Sequence, residues 1–200
     1  MQDPIAIPTY NNQYTYFWTG ICIFFLGISL SSPLHAEKKK KNIYEDEDVY
    51  LRSVYRSPEQ LAAFYEGREF PHAAIKRITQ SCYVTIILKN KTNDILWLEL
   101  DNWVFEQKGK IIQRYDRQYW NKQWDDVKLQ QSYRSTFGWT LMPEVRDLRA
   151  GEGVGGSIPI PMQTENFSLT LNFATGENKK GKIKSVKLPN IHCKQDIDEE

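Results

Sequence analysis

This chain of 200 residues has almost no net charge and few cysteines. Lysine and arginine total 26 against 25 for aspartate and glutamate, so no net field favours a nucleic-acid or other polyanionic partner. The composition is 40% hydrophobic and 26% charged, which excludes a disordered tail and a membrane protein with several spans. We therefore expect one globular domain of modest size.

The N-terminal region contains no lysine or arginine as far as Ala36. Within it, residues 17–30 form an uncharged and mostly apolar run. Fourteen residues fit the apolar region of a signal peptide and are short for a membrane span. The small residue Ala36 then supplies a cleavage site. We predict a signal peptide over residues 1–36 and a periplasmic or secreted mature protein.

An uncleaved membrane anchor is the alternative. The segment before the apolar run lacks the basic residue that signal peptides usually carry, and Lys38 to Lys41 lie on the side that must cross the membrane. In that case the protein contacts the membrane only through residues 14–30, and its domain lies outside the cytoplasm.

Two cysteines remain after removal of the predicted signal peptide, Cys82 and Cys193. An even pair in an exported chain is most simply a disulfide bond. The alternative is a zinc site that adds His72 and His192 to the two cysteines, but the spacing matches no compact zinc motif. We predict the disulfide and expect no metal.

The chain that follows residue 36 is predicted to run from a linker through helices into strands. Residues 37–56 place a basic block beside an acidic block, which is typical of a charged flexible linker. Residues 57–81 are predicted to form a short helical cap, because Ser57 and Gln60 match a capping box and a second helix start follows. Residues 194–200 form an acidic C-terminal tail.

Residues 82–193 show the alternation of apolar and polar residues that is typical of antiparallel strands. The predicted strands begin with residues 82–88 and continue with 95–105, 111–112, 154–160, 167–173 and 182–188. Short strands with regular turns predict a mainly β fold, a β-sandwich preceded by two short helices. A helical or irregular segment is inserted near residues 113–135.

The order of these turns and strands resembles a known kind of module. The likeness rests on Asn90-Lys91-Thr92, on the Gly109 turn, and on Leu148–Glu152 leading into Ile158–Pro161. Over residues 82–188 this arrangement resembles the immunoglobulin-like sandwich modules of exported bacterial proteins, such as the FxLYD type. The resemblance implies an immunoglobulin-like fold and a role in binding or assembly, and it implies no catalytic activity.

The residues with reactive chemistry form no coherent catalytic set. Gly151–Gly156 lacks the Lys-Ser/Thr of a phosphate loop and precedes a strand, so a tight turn with a bulge is predicted there. The acids Asp125, Asp126, Glu144 and Asp147 show no sign of the apolar pocket that carboxylate acid–base catalysis needs. We expect no catalytic residue and no bound cofactor.

Tryptophan and tyrosine provide the candidate binding residues. Trp97 and Trp139 are predicted to lie in the core. Trp120 and Trp124 form a stripe at helical spacing amid polar residues, with Tyr119 beside them. Such a stripe either packs across one face of the sheet to close the sandwich or contacts a partner. We select Tyr119, Trp120 and Trp124 as candidate partner-binding residues.

These observations favour a non-catalytic exported module that binds or helps to assemble an envelope protein complex. The expected partner is an envelope protein. The alternative function is an enzyme or sugar-binding protein that acts on a cell-wall or extracellular polymer.

Overall fold

A computed structural model of the chain describes residues 42–193, which form a mainly β structure with two antiparallel sheets. The α-helices are α1 Pro58–Glu66, α2 His72–Thr79, α3 Arg117–Asp126 and α4 Gln131–Thr140. The strands are β1 Ile43–Glu45, β2 Val49–Tyr55, β3 Ser81–Asn90, β4 Leu96–Glu99, β5 Trp103–Gln107, β6 Lys110–Ile112, β7 Val145–Leu148, β8 Gly153–Pro161, β9 Phe167–Thr175 and β10 Lys184–Ile191.

The first sheet has four strands in the order β1-β2-β3-β8. The second has six strands built around β9, which pairs with β10 along one edge and with β5 and β4 in succession along the other. Strand β6 extends the sheet beyond β5, and β7 extends it beyond β4. Strand β8 therefore forms one edge of the first sheet.

One buried cluster joins the inner faces of both sheets. Cys82, Val84, Ile86 and Leu88 of β3 all belong to it, as the alternation of that strand predicts. The alternation predicted for β9 is also confirmed, because Phe167, Leu169, Leu171 and Phe173 are at most 3% exposed. The inner face is therefore unavailable to a ligand, and any site must lie on an outer face or at an edge.

The predicted disulfide is present. It joins Cys82, at the start of β3, to Cys193, two residues after β10, with 5.5 Å between the two Cα atoms. The bond therefore ties the first sheet to the last strand of the second sheet. It also uses both cysteines of the alternative zinc site.

The predicted linker over residues 37–56 is wrong for its second half. Residues 43–55 form β1 and β2, and residues 37–41 lie outside the described part of the chain, as do the signal segment and the tail at 194–200. The physical reason is alternation: Val49 and Leu51 are fully buried, and β2 pairs with β3 along its whole length. The charged residues in the turn before β2 led to the prediction of a linker there.

The predicted single strand over 95–105 is also divided. Residues Leu100–Asn102 form a 3₁₀ turn between β4 and β5, although both strands pair with β9. Leu100 and Trp103 are both buried. Because they are three residues apart, a single regular strand would point them to opposite faces of the sheet, and the turn lets both be buried.

The four helices form a second buried cluster against the outer face of the first sheet, through Tyr83 of β3. Helix α1 begins at the predicted capping box. The Ser57 hydroxyl accepts a hydrogen bond from the backbone N–H of Gln60, and the side-chain carbonyl of Gln60 accepts one from the backbone N–H of Ser57. The inserted segment is helical as α3 and α4, and it extends to Thr140 rather than 135. None of the helices among residues 42–193 is both long and apolar enough to span a membrane.

Candidate functional site

The residues selected from the sequence as partner-binding do not form an exposed stripe. Trp120 and Trp124 are 2% and 1% exposed and pack against Phe137 of α4. Tyr119 is half-buried and stacks on Tyr115 with 3.8 Å between ring centroids. The prediction of partner contact through Trp120 and Trp124 is therefore wrong, because the stripe faces α4 and fills the helical core.

Among the described tryptophans, Trp139 is the exposed one, so the prediction that it lies in the core is wrong. Its side chain is 90% exposed, whereas Phe137 on the same helix is 1% exposed. Two residues along a helix correspond to a rotation of about 200°, so burial of Phe137 turns Trp139 towards solvent. Tryptophan is enriched among the residues that anchor protein interfaces, so its exposure here marks a candidate binding residue.

A close backbone approach fixes the end of helix α4, which carries Trp139. The amide of Met142 donates to the carbonyl of Ser157 on β8 over 3.0 Å. A Cβ atom at Gly156 would overlap the backbone of Leu141 and Met142, so only glycine allows this approach. The end of α4 is therefore held against the edge of β8.

A groove lies between Trp139 and helix α1, over the outer face of β3 and β8. We call it the Trp139 groove; its volume is 290 Å³. Phe64 and Arg56 line its α1 side, Ile87 and Gly155 lie in its floor, and Trp139 and Thr140 line its α4 side. Ile87 is 40% exposed, which is unusual for an isoleucine on a central strand.

The hydroxyl groups of this groove are mostly paired with one another. Thr85 and Ser157 hydroxyls lie 2.8 Å apart, and the Tyr65 hydroxyl lies 3.0 Å from that of Thr140. Burial raises the pKa of Tyr65 to about 12, against the opposing effect of the Thr140 hydrogen bond. The Tyr83 hydroxyl is buried and has no hydrogen-bond partner among the described residues, and burial raises its pKa well above the ordinary value.

Basic side chains surround the groove. Among the described residues, Arg56 is the only charged one that lines it, and no carboxylate does. The guanidinium groups of Arg56 and Arg68 lie 5.6 Å and 3.5 Å from the centroid of the Phe64 ring. Arg52 lies directly opposite Ile87 in the sheet, and Lys89 follows on the same face. Within residues 42–193, these four cations make no ion pair.

A second concavity, which we call the helical cleft, lies between α3 and α4 on the other side of Trp139. Its volume is 720 Å³, and Trp120, Trp124 and Phe137 form its apolar base. Its rim carries polar side chains, namely those of Arg117, Asn121, Asp125, Gln131, Arg134 and Ser135. The Trp120 indole N–H has no hydrogen-bond partner among the described residues.

The acids considered for catalysis are in part held by arginines. Asp125 pairs with Arg134 over 2.6 Å, and Glu144 pairs with Arg114 over 2.6 Å. Within the part of the chain that the structure describes, no three His, Cys, Asp or Glu residues are placed to hold a metal ion. Gly151 forms the predicted turn with a φ of 77°, but the predicted bulge is missing because β8 pairs with β3 in continuous register.

Sequence reasoning missed Trp139 and Ile87, which are central to the groove. Trp139 lies two residues from the apolar Leu141, and Ile87 lies in an apolar run, so both have the local context of core residues. Trp97 was also assigned to the core, but it is half-buried on the outward side of β4, where its indole N–H donates to the Gly176 carbonyl over 2.8 Å.

Comparison with known proteins gives two weak structural likenesses. No protein-family model and no curated protein matches the chain. The chain is similar to ycdA of Bacillus subtilis, a protein named as a candidate lipoprotein, with a TM-score of 0.40 and 9% identity over 76% of this chain and 39% of that one. It is also similar to the yjhA protein of Bacillus subtilis, with a TM-score of 0.40 and 10% identity over 74% of this chain and 96% of that one. The chain thus spans well under half of ycdA, and likenesses of this degree carry no argument about function.

Proposed function

We propose that this protein is an exported, non-catalytic binding module that takes part in an envelope protein complex. The exported location is supported by the apolar run at residues 17–30 and by the disulfide between Cys82 and Cys193. We also infer that the two sheets form a β-sandwich of the immunoglobulin-like type. Their shared buried cluster and short antiparallel strands support this fold.

The observation that carries the binding role is the exposure of Trp139. The Trp139 side chain is large, is 90% exposed and lines two concavities. These properties are those of an interface anchor in the absence of its partner. The close approach at Gly156 fixes the backbone that follows α4, so the end of the helix that carries Trp139 is held against β8. Trp139 therefore takes the partner-binding role predicted for Trp120 and Trp124.

The test compares the mature chain with its Trp139→Ala variant as baits on envelope extract of the source organism. We expect one protein to be recovered in fixed stoichiometry with the unaltered chain and to be lost with Trp139→Ala. The matched control is Ile183→Ala, which removes another exposed apolar side chain, 71% exposed, and should retain the partner. Turnover of an isolated cell-wall polymer by the purified chain would contradict the non-catalytic role.

The helical cleft supports a second candidate function, the binding of a sugar polymer. Trp139 lines this cleft together with the amide side chains of Asn121 and Gln131. An aromatic ring can pack on the face of a sugar ring, and amide groups can hydrogen-bond its hydroxyls. The discriminating experiment is co-sedimentation with isolated cell-wall polymer, using the Asn121→Ala and Gln131→Ala double variant as the control. Co-sedimentation that depends on these amides would favour the sugar over the protein partner.

A further inference from the structure

We propose that the Trp139 groove receives an extended acidic segment of a protein partner, with an apolar side chain of that segment seated against Trp139 and Ile87. This inference rests on the proposed binding function and adds the chemistry of the partner. Three independent features of the described residues support it: the charge around the groove, its concave shape and the open backbone edge of β8.

The outer face of the first sheet carries cationic side chains near the groove. The register places Arg52, Ile87 and Gly155 side by side on neighbouring strands, and Lys89 follows in the next row of that face. The acid that shares this face on β1, Glu45, already pairs with Lys91 over 2.8 Å. Arg52 and Lys89 make no ion pair within residues 42–193, and Arg56 adds a third such cation at the groove. The surface is therefore complementary to a partner that carries carboxylates.

The backbone of β8 offers the second feature. The carbonyls of Ser157 and Pro159 point away from β3, since they accept from the amides of Met142 and Tyr115 over 3.0 Å and 2.8 Å. Alternation along the strand places the N–H and C=O of Gly155 at the same outer edge, and no group among the described residues pairs with them. Gly155 is exposed, so an extended peptide can add its backbone at this edge.

An anionic membrane also binds surfaces rich in basic and aromatic residues. The shape of the groove favours a peptide over a membrane. Ile87 and Gly155 lie in the floor of a 290 Å³ depression between Phe64 and Trp139. A depression of this size matches a single apolar side chain, which a peptide supplies and the anionic headgroups at a bilayer surface do not. The depression is also large enough for one apolar side chain, which would be buried between two aromatic rings.

The test uses the purified mature chain and a short fluorescein-labelled peptide in which aspartates and glutamates flank a phenylalanine. Fluorescence polarisation should show binding that weakens as salt is raised. A peptide with asparagine and glutamine in place of the acids should bind on the order of tenfold more weakly or not at all.

Variants locate the site. The Arg52→Glu and Lys89→Glu double variant should weaken binding at least on the order of tenfold, and Trp139→Ala should do the same. Lys187→Glu on β10, an exposed lysine outside any ion pair of the described residues, is the charge control and should have no effect. Gly155→Pro removes the edge N–H and should weaken binding.

Several results would overturn the inference. One is failure of the acidic peptide to bind even at millimolar concentration. Equal binding of the uncharged peptide would remove the electrostatic basis. Binding to vesicles of phosphatidylglycerol and phosphatidylcholine without binding to the peptide would assign the surface to membranes. If an envelope protein still binds through Trp139 and the Arg52→Glu and Lys89→Glu variant retains it fully, the proposed function stands and only the acidic segment is wrong.

Discussion

Two tryptophans on neighbouring helices have opposite relations to solvent. Trp120 is 2% exposed and contacts Trp124 and Phe137, with ring centroids 5.0 Å and 4.7 Å away. Trp139 is 90% exposed. Buried aromatic contacts stabilise the fold, whereas an exposed aromatic ring contributes little until a partner covers it. Substitution of each residue therefore separates stability from binding.

We expect Trp120→Ala to lower the free energy of unfolding by about 3 to 5 kcal/mol, since it leaves a large cavity in the helical cluster. Trp139→Ala should change that free energy by less than about 0.5 kcal/mol. Urea unfolding followed by circular dichroism measures both. A loss for Trp139→Ala as large as that for Trp120→Ala would show that Trp139 is a structural residue.

At the residue scale, the sequence could predict burial on strands better than on helices. Strand alternation correctly placed Val84, Ile86 and Leu88 in the core, because a period of two assigns each residue to a face. Helix α4 carries only one buried residue, Phe137, so its sequence contains too little apolar periodicity to define an inner face. The exposure of Trp139 depends on that face and could not be read from its neighbours.

At the scale of elements, the turn between β1 and β2 is tied to β10 by charge. Lys184 on β10 donates to Asp46 over 2.7 Å and to Asp48 over 2.6 Å. Burial disfavours the charged form of Asp46, but hydrogen bonds from Lys184, from the Val49 amide and from the Tyr44 hydroxyl outweigh it and lower the pKa of Asp46 below its ordinary value of 3.8. The hydrogen bonds to Asp46 and Asp48 raise the pKa of Lys184.

These pKa shifts predict how stability depends on pH. Because the pKa of Asp46 is lower in the folded state, its contribution to stability is present above the ordinary value of 3.8 and is lost as the pH falls below it. We expect Asp46→Asn to destabilise the protein at neutral pH and the difference from the unaltered chain to shrink below about pH 4. Urea unfolding over a pH series measures it.

The matched control for this prediction is Asp147→Asn, an exposed aspartate on β7 outside any ion pair of the described residues. It should leave stability nearly unchanged at every pH. A stability difference for Asp46→Asn that stays constant on acidification would show that its charge does not contribute to the fold.

Local signals predicted most of the elements, and long-range contacts decided the rest. The capping box at Ser57 and the hairpin at Gly109 depend on neighbouring residues, and both are present. Strand β2 follows a charged block, and its burial depends on pairing with β3. The 3₁₀ turn at Leu100–Asn102 likewise depends on β9, which pairs with the strands on both sides of it.

At the scale of the whole molecule, the two sheets and the helices each have a distinct part in presenting the Trp139 groove. The shared core and the disulfide hold the sheets together, and the outer face of the first sheet carries the helices. The sequence predicted the mainly β class and the disulfide. The groove could not be predicted, because it forms where α1, α4 and β8 meet.

The disulfide should contribute to stability without affecting the groove. It closes a loop between residues 111 positions apart, for which the chain-entropy treatment gives on the order of 4 to 5 kcal/mol as an upper figure. We expect the Cys82→Ser and Cys193→Ser double variant to melt at a lower temperature and, while folded, to bind the acidic peptide with unchanged affinity. Thermal melts and non-reducing peptide mapping provide the measurements, and two free thiols in the native protein would contradict the bond.

Site-specific photo-cross-linking can show whether Trp139 contacts a protein partner. A benzophenone amino acid placed at position 139 of the full chain, in the envelope of the source organism, should yield one discrete protein adduct on irradiation. The same group at position 183, an exposed site on the second sheet's side, should not yield that adduct. No adduct at position 139, or the same adducts from both positions, would contradict the account.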